Sequence, residues 1–552
     1  MREVFDFGLT RFYKMVKAKK TELRSGTIGM SAHRYTDLKF LRTSSDLYWN
    51  VQNIQPFFPP IEKLFKVSEN SSEYGIRFPE EITNILSATT VRTSASDSVN
   101  VHTKITMLLS PFKWMQGDYG SIGLPTTMEQ SKITNNKLQS SNNAAYVGAI
   151  ISAALSHSSC LHFPKIFGLF SGISKKHIID ISDDYEELSD RSWFSTNIGK
   201  TFEISMSDSV TQTFQHTRTT RPSIQIGDEA ELGDIVDLEG INDNSAVIGD
   251  VKSVFQDMIE DSESCSNDSD VSTAYIFGVE SCDCSEGSEL SEEEEDSECF
   301  AKAIFNNVPV QITVMEKCLG TFYELCVIEN EPEKHLAFLS QVIFALAYAQ
   351  RHFAFTHNDL HANNVMYIKT DKEFLYYTSE GSLYKVPTYG YLIKIIDFER
   401  SIASIKLNGM KESKLFVSDH FSIDEEAGGQ YNMEPFYTPK HNVIKPNSSF
   451  DLVRLATSMF WDLFPEGPDH AEYVNNQVFK FFMKWLTLED GSSILFGKKN
   501  KKHDRFHGFH LYKAITRLCK ENAIPRKEIV SLKPIYGTNS IPLDSIVCSI
   551  DF

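Results

Sequence analysis

The residues best suited to chemistry lie in one short run, His357-Asn358-Asp359-Leu360-His361-Ala362-Asn363-Asn364-Val365. It follows a helical pattern and leads into a strand pattern. Thirty-three residues beyond Asn364, where another strand pattern ends, stands Ile395-Ile396-Asp397-Phe398-Glu399. Transfer of a phosphoryl group asks few things of a protein. One carboxylate must orient the attacking hydroxyl, and hard oxygen ligands must hold magnesium against the triphosphate. An aspartate with an asparagine five residues on supplies both from one loop, and a second aspartate at a nearby strand end supplies the other metal ligand. Singly, each of these residues reads equally well as a helix cap or a surface turn. The information lies in their joint order and spacing, HxDxxxxN and then DFx.

The elements that must position them are legible around the motifs. Residues 334–352 read as a helix, with Leu336, Leu339, Ile343 and Leu346 at helical spacing. VMYIK and YLIKIID read as strands, separated by a long excursion in which FLYYTSEGSLYKV has the pattern of a hairpin around Glu380-Gly381. SFDLVRLATSMFWDLF reads as an amphipathic helix capped by Ser449 or Asp451. Upstream, VPVQITVME reads as a buried strand, VHTKITMLL as a strand and AAYVGAIISAAL as a helix. Residues 1–100 mix short apolar and polar runs that assign no strand.

HNDLHANN together with IIDFE resembles the catalytic core of the eukaryotic-like protein kinases. The resemblance implies an α+β, two-lobed fold using ATP and Mg2+, with Asp359 as the catalytic aspartate and Asn364 and Asp397 as metal ligands. Val310 to Met315, followed by Glu316-Lys317-Cys318-Leu319-Gly320-Thr321-Phe322, resembles the last strand of the upper lobe and the hinge. Backbone groups at Glu316 and Cys318 would then bind adenine. The Asp451 helix resembles the one whose aspartate braces the catalytic loop from below. More widely, KITMLLSPFKWMQGDYG, NNAAYVG, ISDDYEEL, MEKCLGTFYEL, HNDLHANNVMY and KVPTYGYLIKIIDFERS resemble the serine/threonine kinases of large cytoplasmic DNA viruses, including the iridovirus type. With the hinge and core these stretches cover most of Val101–Lys200 and Phe300–Phe464. That resemblance offers Lys104 as the lysine for the α- and β-phosphates, with Lys113 and Lys137 as rivals. It implies a protein substrate and, for a viral protein, host cytoplasm or the virion. The expected organisation is an unassigned or upper-lobe region at 1–100, upper lobe at 101–205, an acidic insert at 206–299, the last upper-lobe strand at 300–315, and hinge with helical lower lobe at 316–552.

The sequence departs from the kinase pattern in four ways. No GxGxxG occurs, so the phosphate-covering loop is unassigned. AAYVGAIISAAL has no glutamate to pair with Lys104, Glu399 stands where glycine usually follows Asp-Phe, and Asn358 replaces the arginine before the catalytic aspartate. Two other readings stay open. One is a small-molecule kinase of the choline or aminoglycoside type, in which glutamate also follows Asp-Phe. The other is a pseudokinase scaffold. Between Asp397 and Phe450 a long stretch suits an activation and substrate segment, with Ser418, Ser422, Tyr431 and Thr438 as phosphate acceptors that Asn358 should render dispensable.

Composition bounds the rest. The 552 residues are 41% hydrophobic and 23% charged, enough for a sizeable core. The net charge of −20 is local: Asp228 to Glu298 holds 24 Asp/Glu and one basic residue, Lys252, so the rest of the chain sums to +3. The acidic insert is therefore expected to be mostly disordered, either a solvated spacer or a docking arm for a basic partner. In ISDDYEEL, Asp183 and Asp184 read as a surface acidic turn. No net basic footprint for nucleic acid, membrane span, secretory signal or CxxC pair is present, so an intracellular setting is expected.

Overall fold

The computed structural model describes residues 27–67, 71–119, 123–124, 136–158, 160–182, 184–206, 280–281, 301–423, 425–431, 444, 446–497, 501, 503–542, 545 and 547–551. Within them the fold is mixed α+β. One antiparallel sheet runs in the order Ile166–Asp180, Ala301–Glu316, Val99–Met107, Thr90–Thr93, Ile82–Ser87. Val51–Gln55 and Glu280–Ser281 pair with Ile166–Asp180, and Glu203–Met206 pairs with Ala301–Glu316. Ala301–Glu316 is the central strand. Ala301, Ala303 and Phe305 point into the core, and so do Val308, Val310, Ile312 and Val314. The alternation slips by one at Asn307, which takes a left-handed φ of 56°. That irregularity keeps the apolar set inward on both sides of it, where a plain two-residue period would have turned half outward.

Register then locates the lysine. Thr313 pairs with Lys104 and Glu316 with Val101, so Lys104 stands three residues in from the point where the chain leaves the sheet. The helix Ala144–Ser156, capped by the Asn143 side chain on Ala145 N–H, packs beside this sheet and is buried from Ala144 to Leu155. Beyond Glu316, Gly320–Thr321 pairs with Met366 and Tyr367. A Cβ on Gly320 would lie 2.5 Å from Glu324 Oε2, so a side chain there would have to move this carboxylate. Thr321 and Glu324 form a reciprocal capping box on the helix Phe322–Ile328.

The helix Pro332–Phe353 is the spine of the second half and ends where Ala354 turns left-handed. Val365–Lys369 pairs antiparallel with Tyr391–Ile395, which brings the two motif loops together at one end of that pair. The hairpin Phe374–Ser379 with Ser382–Pro387 turns at Glu380 and Gly381, both with positive φ, as the dipeptide implied. Asp551 accepts both turn N–H groups, and Val547–Ser549 adds a parallel strand beside the hairpin. Four helices, Phe450–Leu463, Gln477–Leu486, Phe509–Leu518 and Pro525–Tyr536, complete this half. One apolar core runs through both halves.

Several expectations change. Of the two readings left for residues 1–100, the described ones fit the second, since Val51–Gln55, Ile82–Ser87 and Thr90–Thr93 belong to the Lys104 sheet; the boundary at 100 moves, because it cuts the strand Val99–Met107. The stretch 316–552 carries, with its helices, the strands and the hairpin expected at VMYIK, YLIKIID and FLYYTSEGSLYKV. Neither Ser449 nor Asp451 caps its helix, because Ser449 Oγ accepts from Ala523 N–H and Asp451 turns to the loop at His357. Asp184 is buried, at 2% exposure, and Asp183 lies outside the described residues. So does the acidic stretch 206–299, apart from Met206 and the pair Glu280–Ser281.

Candidate active site

The loop from His357 to Asn364 is held from below. Asp451, fully buried on the Phe450–Leu463 helix, accepts the backbone N–H of His357 at 3.0 and 3.1 Å and of Asn358 at 3.0 Å. Burial raises the Asp451 carboxyl to about 6, against the opposing pull of the His357 ring and these N–H groups. A second set of bonds ties the loop to the Asp397 turn. His357 Nε2 donates to Ile396 O at 2.8 Å, and Ile396 N–H donates to Asn364 O at 3.0 Å. Asn358 Nδ2 donates to Arg400 O at 3.0 Å, and Tyr431 OH donates to Asn358 Oδ1 at 2.5 Å. Asn358 and Asp397 both adopt left-handed φ, 65° and 63°, a region that Asn and Asp tolerate better than most residues. Phe398 is buried against Phe163, Phe355 and His357.

Asp359 Oδ1 accepts from Tyr512 OH at 2.5 Å, and Oδ2 lies 3.7 Å from Arg400 Nη1. Burial would raise this carboxyl, but Arg400, His361, Arg454 and the Tyr512 hydroxyl outweigh it and hold it well below the usual carboxylate range. His361 is pushed down to about 4, chiefly by burial, and so is neutral near pH 7. Its Nε2 accepts from Asn364 Nδ2 at 3.1 Å, and the same amide donates to Asp359 O at 2.9 Å. Asn364 therefore turns its nitrogen into the loop and leaves its amide oxygen available.

Lys104 reaches across from the sheet. Its Nζ lies 2.9 Å from Asp397 Oδ1 and 2.9 Å from Glu399 Oε1. Burial alone would depress the ammonium, yet the two carboxylates hold it well above the ordinary lysine value. Asp397 in turn is held low: burial would raise it, but the charge and hydrogen bond of Lys104 prevail. The rival lysines go elsewhere. Lys113 pairs with Glu425 at 3.0 Å, and Lys137 pairs with Asp419 at 2.8 Å and Glu425 at 2.9 Å.

At the proposed hinge, the Glu316 side chain pairs with buried Lys394 at 2.9 Å, and Lys394 Nζ also donates to Phe163 O. Glu316 N–H donates to Lys165 O. The Cys318 thiol is pushed up to about 12 by burial and by Glu316, so it stays protonated. Leu319 N–H donates to Tyr367 O, whereas the Cys318 backbone N–H and C=O make no backbone bond among the described residues.

The donor set suits a hard cation. No group of three or more His, Cys, Asp and Glu side chains converges among the described residues. What the site offers is the Asp397 carboxylate and the Asn364 amide oxygen, a sparse oxygen set of the kind that binds magnesium together with water and phosphate oxygens. The sequence reading missed Tyr512, Arg454 and Glu399 as members of the site. Tyr512 and Arg454 carry no local signal, since Tyr512 lies 153 residues from Asp359. Glu399 did carry one, as the residue that broke the Asp-Phe-Gly pattern.

No protein-family model matches the chain. Part of it is similar to serine/threonine-protein kinase haspin. The match to the bovine (Bos taurus) protein is 38% identical over 99 residues, 17% of this chain and 12% of the relative. The match to the mouse (Mus musculus) protein is 40% identical over 63 residues, 11% of this chain and 8% of the relative. The matched part thus spans about an eighth or less of these relatives. It is a weak, partial likeness to a protein-kinase-like phosphotransferase. No helix among the described residues is long and apolar enough to cross a membrane.

Proposed function

We propose that this chain is a two-lobed, ATP-dependent serine/threonine protein kinase. The observation that carries the reading is the approach of Lys104 Nζ to Asp397 Oδ1, 2.9 Å, beside a turn bonded directly to the loop of Asp359 and Asn364. Lys104, Asp397, Asp359 and Asn364 are thereby linked through the Lys104–Asp397 ion pair and the bonds between the two loops.

The sheet with Lys104 would form the upper lobe and the chain beyond Glu316 the hinge and lower lobe. Cys318, whose backbone groups make no backbone bond among the described residues, and Glu316 would hold adenine. Lys104 would bind the α- and β-phosphates, and Asp397 and Asn364 would hold Mg2+, which when bound neutralises charge on the phosphates. Asp359, ionised and fixed by its loop, would accept a hydrogen bond from the acceptor hydroxyl and aim its oxygen at the γ-phosphorus. The new P–O bond forms as the bond to the β,γ-bridging oxygen breaks. ADP leaves with that electron pair, and the hydroxyl proton passes to the Asp359 carboxylate. The low proton affinity of Asp359 suits orientation more than early proton removal. The resemblance to viral kinases would put the chain in host cytoplasm or the virion, with the acidic stretch open to a basic partner.

The test is radiolabel transfer from γ-labelled ATP with magnesium, offering mixed protein acceptors alongside choline and aminoglycosides. Label is expected in protein, and Asp359→Ala should lower it by about 10²–10⁴-fold with the thermal transition retained. Label confined to the small molecules would favour the small-molecule kinase, and no transfer above the Asp359→Ala background would favour the scaffold. A variant within a few-fold of wild type would remove Asp359 from its role.

A further inference from the structure

We infer that Glu399 is the positioning residue for Lys104, doing from the Asp-Phe turn what a helix glutamate does for the ATP-binding lysine of protein kinases; this rests on the phosphotransferase reading above. Two departures from the kinase pattern become one exchange. The helix Ala144–Ser156 contains no acidic residue, and the residue after Asp397-Phe398 is glutamate where glycine is usual.

Three observations locate the exchange. Glu399 Oε1 lies 2.9 Å from Lys104 Nζ and accepts from Thr106 Oγ1 at 2.8 Å. Lys104 and Thr106 are two apart on one strand, hence on one face, so a single carboxylate oxygen is seated by both a charge and a directed hydroxyl. The third observation is the space it occupies. A Cβ on Gly148, in the middle of the helix, would lie 2.8 Å from Glu399 Cγ, 3.3 Å from its N and 3.4 Å from its Cα. A side chain at 148 and the Glu399 side chain therefore exclude each other. The helix comes close because it has glycine there, and the glutamate fits because the helix has no side chain to oppose it.

This arrangement answers a need of the site. Lys104 pairs with both Asp397 and Glu399. When Asp397 turns to a metal, a buried ammonium must keep a counter-charge, and Glu399 supplies it. The lysine anchor and the metal ligand then sit two residues apart on one turn and move as a unit. Lysine pairing no longer depends on the rotation of the neighbouring helix. Both seated contacts fall on Oε1 and come from the strand, and the magnesium dependence below separates this role from metal ligation through Oε2.

The test uses the full chain and the variants Glu399→Ala, Glu399→Gln, Glu399→Gly, and Glu399→Gly combined with Gly148→Glu. The readouts are kcat and KM for ATP, the magnesium dependence of the rate, binding of a fluorescent ATP analogue, and the thermal transition. Glu399→Ala should lower kcat/KM for ATP by about 10²-fold, as for a misplaced reacting group, with half-maximal magnesium unchanged. Glu399→Gln, which keeps an acceptor for Thr106 and so tests charge in a folded protein, should lose at least tenfold. Returning the carboxylate to the helix in the double variant should recover at least tenfold over Glu399→Gly. Alanine and glutamine variants within twofold of an active wild type would overturn this inference alone. A loss accompanied by a raised magnesium requirement would do the same, by making Glu399 a metal ligand. A wild type that neither binds the analogue nor transfers phosphate would remove the underlying reading as well.

Discussion

Asp451 offers the sharpest trial of how the loop is built, because its removal and its neutralisation pull in opposite directions. In Asp451→Ala the backbone N–H groups of His357 and Asn358, both residues fully buried, lose their acceptor. An orphaned buried donor costs about 1–3 kcal/mol, so the pair costs about 2–6 kcal/mol, reduced by whatever the carboxylate itself paid for burial. That opposing cost is visible in the carboxyl's raised value of about 6. A group whose folded value exceeds its unfolded one, ~3.9 for aspartate, contributes stability that is fully present below about pH 4. The contribution fades as pH rises through about 6. About two pK units correspond to about 3 kcal/mol. Asp451→Asn keeps an oxygen for the N–H groups and has no proton to lose. Its stability relative to wild type should therefore climb by up to about 3 kcal/mol between pH 4 and pH 7. Urea unfolding of wild type and both variants at pH 4.5, 5.5 and 7 reads this directly, since other titrating groups cancel in the comparison. Parallel pH profiles for wild type and Asp451→Asn would refute the burial argument. A loss below about 1 kcal/mol in Asp451→Ala at pH 4.5, where the folded carboxyl is still protonated and little of the burial cost offsets the orphaned donors, would refute the bracing.

Asp397→Asn should weaken Mg-ATP binding and activity together, and Asn364→Ala should act the same way to a smaller degree; ATP affinity that ignores magnesium in all three proteins would remove the metal role. Deleting about residues 228–298 should leave a folded, active core, because 24 acidic residues against one basic residue cannot bury an interior; loss of the thermal transition would contradict this. Phosphatase-treated protein, checked by mass spectrometry, should retain most of its rate, and a fall of two orders of magnitude would overturn that expectation. Ser422 should be replaceable, but Tyr431→Phe should destabilise by about 1–3 kcal/mol, since it leaves the buried Asn358 oxygen without the Tyr431 hydroxyl; thermal melts decide it.

What was legible in the sequence is what short spacing determines. HNDLHANN folds into a loop whose own side chains meet each other, Asn364 with His361 and with Asp359 O. Its neighbours, Pro332–Phe353 and the Glu380-Gly381 hairpin, follow from local period and turn chemistry. What was not legible depends on partners far away in the chain. TVRT is a strand because the Lys104 strand pairs with it, and ITNILS because TVRT does in turn. Val547–Ser549 has no strand signal until the hairpin lies beside it. Tyr512 reaches Asp359 from a helix that nothing in the motif specifies. The sequence did mark the missing helix glutamate and Glu399 as anomalies, but only the close approach of Gly148 to Glu399 turns the two into one device.

The segment after Asp397 shows why the neutral Asn358 is tolerated. With arginine at that position, a phosphate on the segment can supply the missing counter-charge. Here Arg400 stands three residues past Asp397, and it is the residue that would restore such a switch. Its guanidinium lies 3.7 Å from Asp359 Oδ2 and 3.6 Å from Glu426 Oε2, so the segment meets it with a carboxylate of its own. The same holds further out. Glu425 meets Lys113 and Lys137, while Asp419 meets Lys137 and accepts Ala144 N–H at the start of the Gly148 helix. These three acids already occupy the cations that a phosphate would seek. A phosphate added here would face carboxylates as well as cations, so its electrostatic gain would be small. The described part of the segment, through Asp419, Glu425 and Glu426, is therefore held by its own carboxylates, one of which bonds the helix that makes room for Glu399. The docking of Asp419 at Ala144 and the approach of Glu399 to Gly148 involve the same helix, which is a physical reason for both to be present without a covalent signal.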